Sequence, residues 1–439
     1  MKNKPNILFV FSDQQHWEAV GFNDGSFDTP NLNRLAAEGT VFSNAFCTTP
    51  QCSPSRSSML TGMYPAKTGV IGNVGQAGGS PLKQPTVGKM LQQAGYRTAY
   101  FGKWHLGKNE VGTAGWDEDF GVVQKEQHDD EEATRLALDF MQRAAARPDE
   151  PFALFLSYND PHDIYHYGRE AKLQTPPAPR SAPAPLPPSW QGHDFESVPG
   201  VQHQFMLEDQ GKIMAGAESP AWERYRELYR EKVKLYDNHV GRVLGALEAH
   251  GLLERTMIIA TSDHGDMDAQ HRLIFKGPFM YEHMMRVPLI IRRPGVPAGR
   301  TVDYLTPNVD LVPTMADWAG FDPGATDGVS LDPLLTGVGR PPERDFVIGQ
   351  YYSKQRWINP IRMIRTDRLK YNLYRVHGEE LYDLQNDPHE LKNLADDPDY
   401  AERKDELAAR LEGWLRENGD DFHELQPTTR DGQPLNVGN

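Results

Sequence analysis

Apolar positions in this chain come in short unbroken runs rather than in strict alternation. Ile7 to Phe11, Thr98 to Phe101, Phe152 to Ser157, Met257 to Thr261 and Val287 to Ile291 are such runs. Strands covered on both faces show this continuous apolar character, so the runs predict buried parallel strands. Between them the spacing turns helical. Asn31 to Glu38 opens after Thr29-Pro30, a cap followed by a proline at the first turn, and Pro85 to Ala94 stops at Gly95. Glu131 to Ala146 and Ala221 to Ala249 carry apolar residues at helical intervals. Alternating strand and helix predict an α/β fold: a large, mostly parallel central sheet between helices, with the functional site at the carboxyl ends of the strands.

Two stretches depart from this pattern. Thr175 to Pro188 holds seven prolines and Arg180 as its one charge, which excludes a helix or an inner strand. We read residues 165–216 as a lid or insertion within a catalytic domain of residues 1–340. Beyond about residue 340, Arg362 to Ile364, Leu369 to Tyr374 and Glu380 to Leu384 read as short strands, and Ala401 to Glu417 as an amphipathic terminal helix. Residues 341–439 are therefore expected to form a smaller C-terminal α+β subdomain with an antiparallel sheet.

The 439 residues carry a net charge of −15, without the basic stripe that nucleic-acid binding needs. No apolar run is long enough to span a membrane. The Ile7–Phe11 run is too short for the core of a signal peptide, so the reading places the chain in the cytoplasm. Cys47 and Cys52 are the only cysteines, too few for a disulfide framework.

Candidate chemistry centres on Cys52-Ser53-Pro54-Ser55-Arg56-Ser57-Ser58-Met59-Leu60-Thr61-Gly62. By itself this reads as a helix start. A cysteine there has its thiolate favoured by the helix dipole and the free backbone N–H groups. A structural helix start and a reactive thiol both fit.

Cys-x-Pro-Ser-Arg followed by Leu-Thr-Gly resembles the signature of the formylglycine-dependent sulfatases of the alkaline phosphatase superfamily. Further segments match in that family's order: Pro5 to Leu8 with Ser12-Asp13-Gln14; Gly102-Lys103-Trp104-His105-Leu106-Gly107; Ser157-Tyr158-Asn159-Asp160-Pro161-His162; Thr261-Ser262-Asp263-His264-Gly265; and Phe275-Lys276-Gly277 through Tyr281-Glu282 to Arg286-Val287-Pro288. The resemblance implies an alkaline phosphatase-like fold and hydrolysis of a sulfate ester, with a sulfated carbohydrate preferred. It implies that a maturation enzyme oxidises Cys52 to formylglycine and that Arg56 holds the hydrate. Asp13, Gln14, Asp263 and His264, with residue 52, would bind one divalent cation. Lys103 and Lys276 would bind the transferred anion, His162 would protonate the leaving group, with His166 as competitor, and His105 would take the proton that drives sulfate release. On a strand, Lys103 and His105 share a face.

Many members carry two aspartates where this chain has Asp13-Gln14, and the Asp-Gln form is similar to that of choline sulfatases and phosphonate monoester hydrolases. Calcium is the expected ion, and the nitrogen donor of His264 admits manganese. Lys276 and Glu282 are six positions apart, where five is the common spacing. Glu282 and Arg286 are spaced as a helix pair. Glu380 to Glu390 with Asn393-Leu394-Ala395 resembles the family's C-terminal strand and turn, with a structural role. Gln350-Tyr351-Tyr352 and Trp357 are expected at the pocket mouth. The alternative on this scaffold is a phosphodiester or phosphonate monoester hydrolase. A non-catalytic glycan-binding module would be expected to have lost Cys52 or the metal quartet, and both are present.

Overall fold

The computed structural model describes residues 4–107, 115–120, 129–170, 184–341 and 343–437, apart from the side chains of residues 169 and 170. The proline-rich positions 175–183 lie outside these residues. In chain order the strands are β1 (Asn6–Asp13), β2 (Thr40–Phe42), β3 (Ala45–Phe46), β4 (Arg97–Gly102), β5 (Glu118–Phe120), β6 (Phe152–Pro161), β7 (Thr256–Ser262), β8 (Leu289–Arg292), β9 (Arg300–Val302), β10 (Thr306–Pro307), β11 (Val347–Lys354), β12 (Trp357–Arg365), β13 (Leu369–Tyr374) and β14 (Glu379–Asp383). The large sheet runs β5-β4-β6-β1-β7-β8-β2-β9.

β1 lies at the centre, parallel to β6 on one side and β7 on the other, and each of its residues is buried. Its side chains alternate between two apolar layers. Ile7, Phe9 and Phe11 enter the layer that contains Met59, Leu60, Val87 and Leu91. Leu8 and Val10 enter the layer formed with Leu32, Ala137, Phe140, Tyr236 and Val240. Each fully buried side chain of this size contributes about 1.5–3 kcal/mol, so a run that is apolar on both faces is stable only between two helical layers. Two of those helices start at a side-chain cap. The Asp129 side chain accepts from Glu132 N ahead of the Asp130–Ala145 helix, and the Thr86 side chain accepts from Gly88 N ahead of Val87–Gln93.

The run Val287 to Ile291 corrects one expectation. Its ordered part, β8, is antiparallel to both β7 and β2. A parallel return needs a crossover element to carry the chain back along the sheet. Between β7 and β8 there are only a short 3₁₀ turn and the four-residue Glu282–Met285 helix. The chain therefore stays at the carboxyl edge of the sheet after β7 and re-enters it in reverse.

β11 to β14 form an antiparallel meander. The helix Ala401–Glu417 lays Leu407, Leu411 and Leu415 on one face of it, against Ile348, Ile364, Tyr371 and Leu381. Val347, Tyr351, Ile361 and Met363 belong to the core of the large sheet. That packing explains a second correction: Tyr351 and Trp357 are buried core residues, and Gln350 is buried with its amide on Asp420. Leu381 N is held by Asn393 Oδ1, and Asp383 O receives the turn N–H groups of Asn386 and Asp387, so this segment is built as a strand and turn.

Glu282 connects the two sheets. Its carboxylate lies 3.3 Å from Arg365 and 3.4 Å from Lys370, both on the small sheet, and Arg286 instead donates to Ser43 O and covers the Trp17 ring. Glu282 and Arg286 are thus not the helix pair that their spacing suggests. Glu282→Ala leaves buried Arg365 without its carboxylate, while Lys370 keeps Glu390, and is expected to cost about 3 kcal/mol. A lowered denaturant midpoint checks this, and Glu282→Asp should recover part of the loss.

Candidate active site

Parallel pairing of β1 and β7 in the register Ser12↔Ser262 brings Asp13 and Asp263 level at the carboxyl edge. Asp263 N donates to Ser12 O at 3.1 Å, and Gln14 N donates back to Asp263 Oδ1 at 3.1 Å. Gln14 holds a left-handed backbone, φ +75°. That conformation is uncommon outside glycine, and here it turns the chain sharply at the strand end. Asp13, Gln14, Asp263 and His264 are all fully buried.

The helix Cys52–Thr61 points its first turn at this edge and ends at Gly62, whose φ of +74° closes it. All ten of its residues are buried although six are serine, threonine or arginine, so their polar groups need partners. Ser53 Oγ donates to His105 O at 2.6 Å, Ser55 Oγ donates to Asp263 O, and Thr61 Oγ1 donates to Ser57 O. Arg56 carries the largest polar load. Its Nε donates to Asp263 Oδ2 at 2.8 Å and one terminal nitrogen to Asp13 Oδ2 at 2.9 Å. The other terminal nitrogen donates to Lys103 O at 2.5 Å and to Ser157 Oγ at 2.7 Å. The guanidinium also lies over the Phe11 ring.

Cys52 is the first residue of this helix. Its Sγ lies 2.8 Å from Lys276 Nζ, 3.3 Å from His264 Nε2, 3.6 Å from Asp13 Oδ1 and 4.0 Å from Lys103 Nζ. Burial raises the thiol pKa, but Lys103, Lys276 and His264, aided by a hydrogen bond from His105, pull it well below the ordinary value. Cys47 makes the contrast. It is equally buried, its Sγ faces Met284 O at 3.6 Å, and burial followed by Asp263 pushes its thiol well above that value. Position 52 is thus built to carry an anion and position 47 is not.

The residues around Asp13 suit a metal ion. One ligand atom from each of Asp13, Cys52, Asp263 and His264 lies within 4.8 Å of all the others. His264 Nδ1 donates to Gly265 O at 2.9 Å, which leaves Nε2 free as a ligand. Gln14 Nε2 donates to Asp266 Oδ2 at 2.6 Å, and its Oε1 is buried without a hydrogen-bond partner. A buried amide oxygen in that condition, beside two carboxylates, matches the preference of a hard cation for oxygen. Burial and Cys52 push the Asp13 carboxyl up, yet Lys103, His162 and Lys276 together hold it far below the ordinary range.

Lys103 and His105 reach the site by a different route from the one expected. β4 ends at Gly102 (φ +108°), where a side chain would overlap the Ser157 carbonyl oxygen. Lys103, Trp104 and His105 follow in a loop rather than on a strand. Lys103 Nζ lies 2.7 Å from Asp13 Oδ2, Trp104 packs in the core, and His105 takes φ +58° with Nδ1 buried and unpartnered. His162 starts the turn after β6, and its pKa falls to about 4, through burial first and then Lys103, with Asp13 opposing. His166 is exposed. Lys276 Nζ reaches into the ring of donors, 2.9 Å from His264 Nε2 and 3.8 Å from Asp13 Oδ1. Of the candidate catalytic and metal-ligating residues, all except His166 gather at this edge.

Comparison with known proteins agrees with this geometry. The sulfatase family model matches residues 5–321, and the model for the C-terminal part of N-sulphoglucosamine sulphohydrolase matches residues 270–417. The chain belongs to the sulfatase family. It is 31% identical to a Delta 4,5-hexuronate-2-O-sulfatase of Bacteroides thetaiotaomicron, over 97% of this chain and 92% of that one. It is also 31% identical to a choline-sulfatase of Rhizobium meliloti, over 90% and 83%. A solved 2-O GAG sulfatase superposes with a TM-score of 0.87 at 29% identity, covering 97% of this chain and 95% of that chain. The protein is accordingly a sulfuric ester hydrolase.

Several residues that support this sulfatase site were missed in the sequence. Asp266 orients the Gln14 amide and also accepts from the Tyr225 hydroxyl; the alternation Asp263-His264-Gly265-Asp266 after a strand was the available signal. Asn308 Nδ2 donates to Ser55 Oγ at 2.9 Å, and Lys354 donates to Lys276 O at 2.6 Å. Both come from remote segments, and no local pattern marks them. Tyr165 stacks on Phe275 with centroids 4.1 Å apart and places its ring 5.8 Å from Lys276 Nζ. Asp263→Ala is expected to fold but to lose most bound divalent metal, because it removes an oxygen donor and frees Arg56. Metal analysis of the purified variant, beside a chelator-treated wild type that loses its turnover, checks this.

Proposed function

We propose that this sulfatase removes a sulfate ester from a saccharide, using a formylglycine made from Cys52 and one bound divalent cation, calcium in preference to manganese. The observation that carries the reading is the position of Cys52. One buried side chain at a helix N-terminus faces Lys276 at 2.8 Å and Lys103 at 4.0 Å, with the carboxylates Asp13 and Asp263 and the His264 imidazole beside it. The saccharide is supported by the relatives, which are named for a hexuronate and for a GAG.

Asp13, Gln14, Asp263 and His264, with residue 52, would hold the cation. When bound it supplies positive charge for the transferred group and lowers the pKa of an oxygen attached to it. A hydrated aldehyde at position 52 offers two hydroxyls on one carbon, so attack and release of sulfate need no water at a hindered ester. Lys103 and Lys276 hold the non-bridging oxygens of the ester and stabilise the charge that builds on them. Arg56 bonds both Asp13 and Asp263 and fixes the first turn of the helix. His162, neutral in the free site because of its low pKa, takes up a proton as the negative charge of a bound ester raises that pKa, and donates it to the leaving oxygen. His105, whose Nδ1 is unpartnered, accepts the proton whose loss releases sulfate.

Cys52→Ala should abolish turnover of nitrophenyl sulfate, whereas Cys47→Ala should keep most of it. The mass of the peptide containing residue 52 should show a thiol replaced by an aldehyde, and full activity with an intact thiol rules the mechanism out. Nitrophenyl sulfate should also be preferred over the matching phosphodiester with calcium loaded; the reverse preference would assign the scaffold to phosphoryl transfer.

The two histidines should separate by leaving group. His162→Ala is expected to slow hydrolysis of alkyl or sugar sulfates by roughly 10²–10⁴-fold and that of nitrophenyl sulfate much less, since a good leaving group needs little protonation. His105→Ala should leave the first step fast and show a burst of nitrophenol in single-turnover measurements. Equal losses on both substrates for His162→Ala would move the acid to another residue.

A further inference from the structure

A second cluster of metal-ligating side chains lies just past the first. One ligand atom from each of His16, Glu18 and His283 lies within 4.8 Å of the others. His16 is buried, and neither ring nitrogen has a hydrogen-bond partner. Buried imidazoles normally satisfy at least one nitrogen, and leaving such a group unpaired costs about 1–3 kcal/mol. The nearby carboxylate offers only a long contact to one of the two nitrogens. Asp268 Oδ2 is held by Arg226 at 3.1 Å and Arg230 at 3.3 Å, which leaves it 3.6 Å from His16 Nε2. The ring is instead stacked on Tyr229, with centroids 5.3 Å apart and planes at 10°, and stands 5.0 Å from the His283 ring. His283 Nε2 lies 2.8 Å from Glu18 Oε2 and 3.0 Å from the Gln270 amide nitrogen. That single nitrogen faces both a group that only accepts and a group drawn as a donor.

We propose that His16, Glu18 and His283 form a second metal site, selective for a borderline d-block ion of the zinc class and distinct from the site at Asp13. Two imidazoles and one carboxylate are a zinc-type set, whereas the first site is dominated by oxygen. The ion satisfies His16, replaces the proton otherwise shared between His283 and Glu18, and leaves a fourth position for water. Glu18 is partly exposed, so the ion has a route in from solvent. The ligands lie on two segments that both serve the catalytic edge. His16 follows Gln14 by two positions, and His283 sits on the Glu282–Met285 helix, whose Met284 O accepts from Gly265 N beside His264. A bound ion cross-links the two loops that present Gln14 and His264, so its role is to position the first site's ligands.

The test is zinc binding to chelator-stripped protein in saturating calcium, read by metal analysis, with cobalt absorption reporting nitrogen ligands. Wild type and Asp263→Ala should each take up one tightly bound zinc. His283→Ala and Glu18→Gln should lose roughly 100-fold or more in zinc affinity, since removing even an outer-shell partner costs 10–100-fold. The two variants should keep calcium and the wild-type fold by circular dichroism. Zinc should also raise the melting temperature of wild type and not of His283→Ala. A wild type that binds no zinc once calcium saturates the first site overturns the proposal, as does zinc binding unchanged by both variants. Both readings are independent of turnover, so failure here leaves the catalytic reading intact.

Discussion

The active edge depends on one buried guanidinium. Arg56 joins the carboxylates at the ends of β1 and β7 to the helix that starts with Cys52, and its remaining donors fix the Lys103 carbonyl and Ser157. Two aspartates this close repel each other, and burial pushes Asp263 towards its neutral form, with Asp13 adding to that effect. A permanently charged, forked donor between them offsets both. Lysine cannot take the place, because a point charge does not bond four acceptors in a fixed plane. The serine-rich first turn follows from the same constraint: a helix drawn into a polar sheet edge must satisfy its polar surface there.

The second organising feature is the reversal of β8. Without a crossover helix, the chain from Asp263 to Pro288 stays at the carboxyl edge, so one segment delivers Asp263, His264, Lys276 and Glu282 in turn. Glu282 then fastens this segment to Arg365 and Lys370 of the small sheet. The small sheet thereby backs the site mechanically, and Lys354 extends that support by donating to the carbonyl of Lys276 itself.

Much of this was legible from one chain, and the misses have physical reasons. The central strands and the helix Ala401–Glu417 were readable because unbroken apolar runs and helical spacing are local signals of burial. Asp13, Cys52, Asp263 and His264 were readable through the resemblance of their segments to the sulfatase motifs, since a place at the end of a strand or helix does not by itself single out a ligand. β8 was assigned the wrong direction, since apolar content reports burial on two faces and not polarity. Tyr351 and Trp357 were expected at the pocket mouth but are buried, because residue type alone does not tell a stacking aromatic from a core one. Lys103 and His105 share a site through left-handed turns at Gly102 and His105, which side-chain periodicity cannot express. His16 and His283 carry no sequence signature, being neighbours only once β8 has turned back.

The charges at the active edge have a further consequence. With residue 52 as the uncharged aldehyde proposed above, three cationic side chains, Arg56, Lys103 and Lys276, face two carboxylates, so the edge is positive before a metal ion is counted, inside a chain whose net charge is −15. An anion is attracted within the pocket and repelled outside it. Ionic strength near physiological screens charges beyond about 8 Å. Salt therefore weakens the long-range repulsion while leaving the short contacts around residue 52 largely intact.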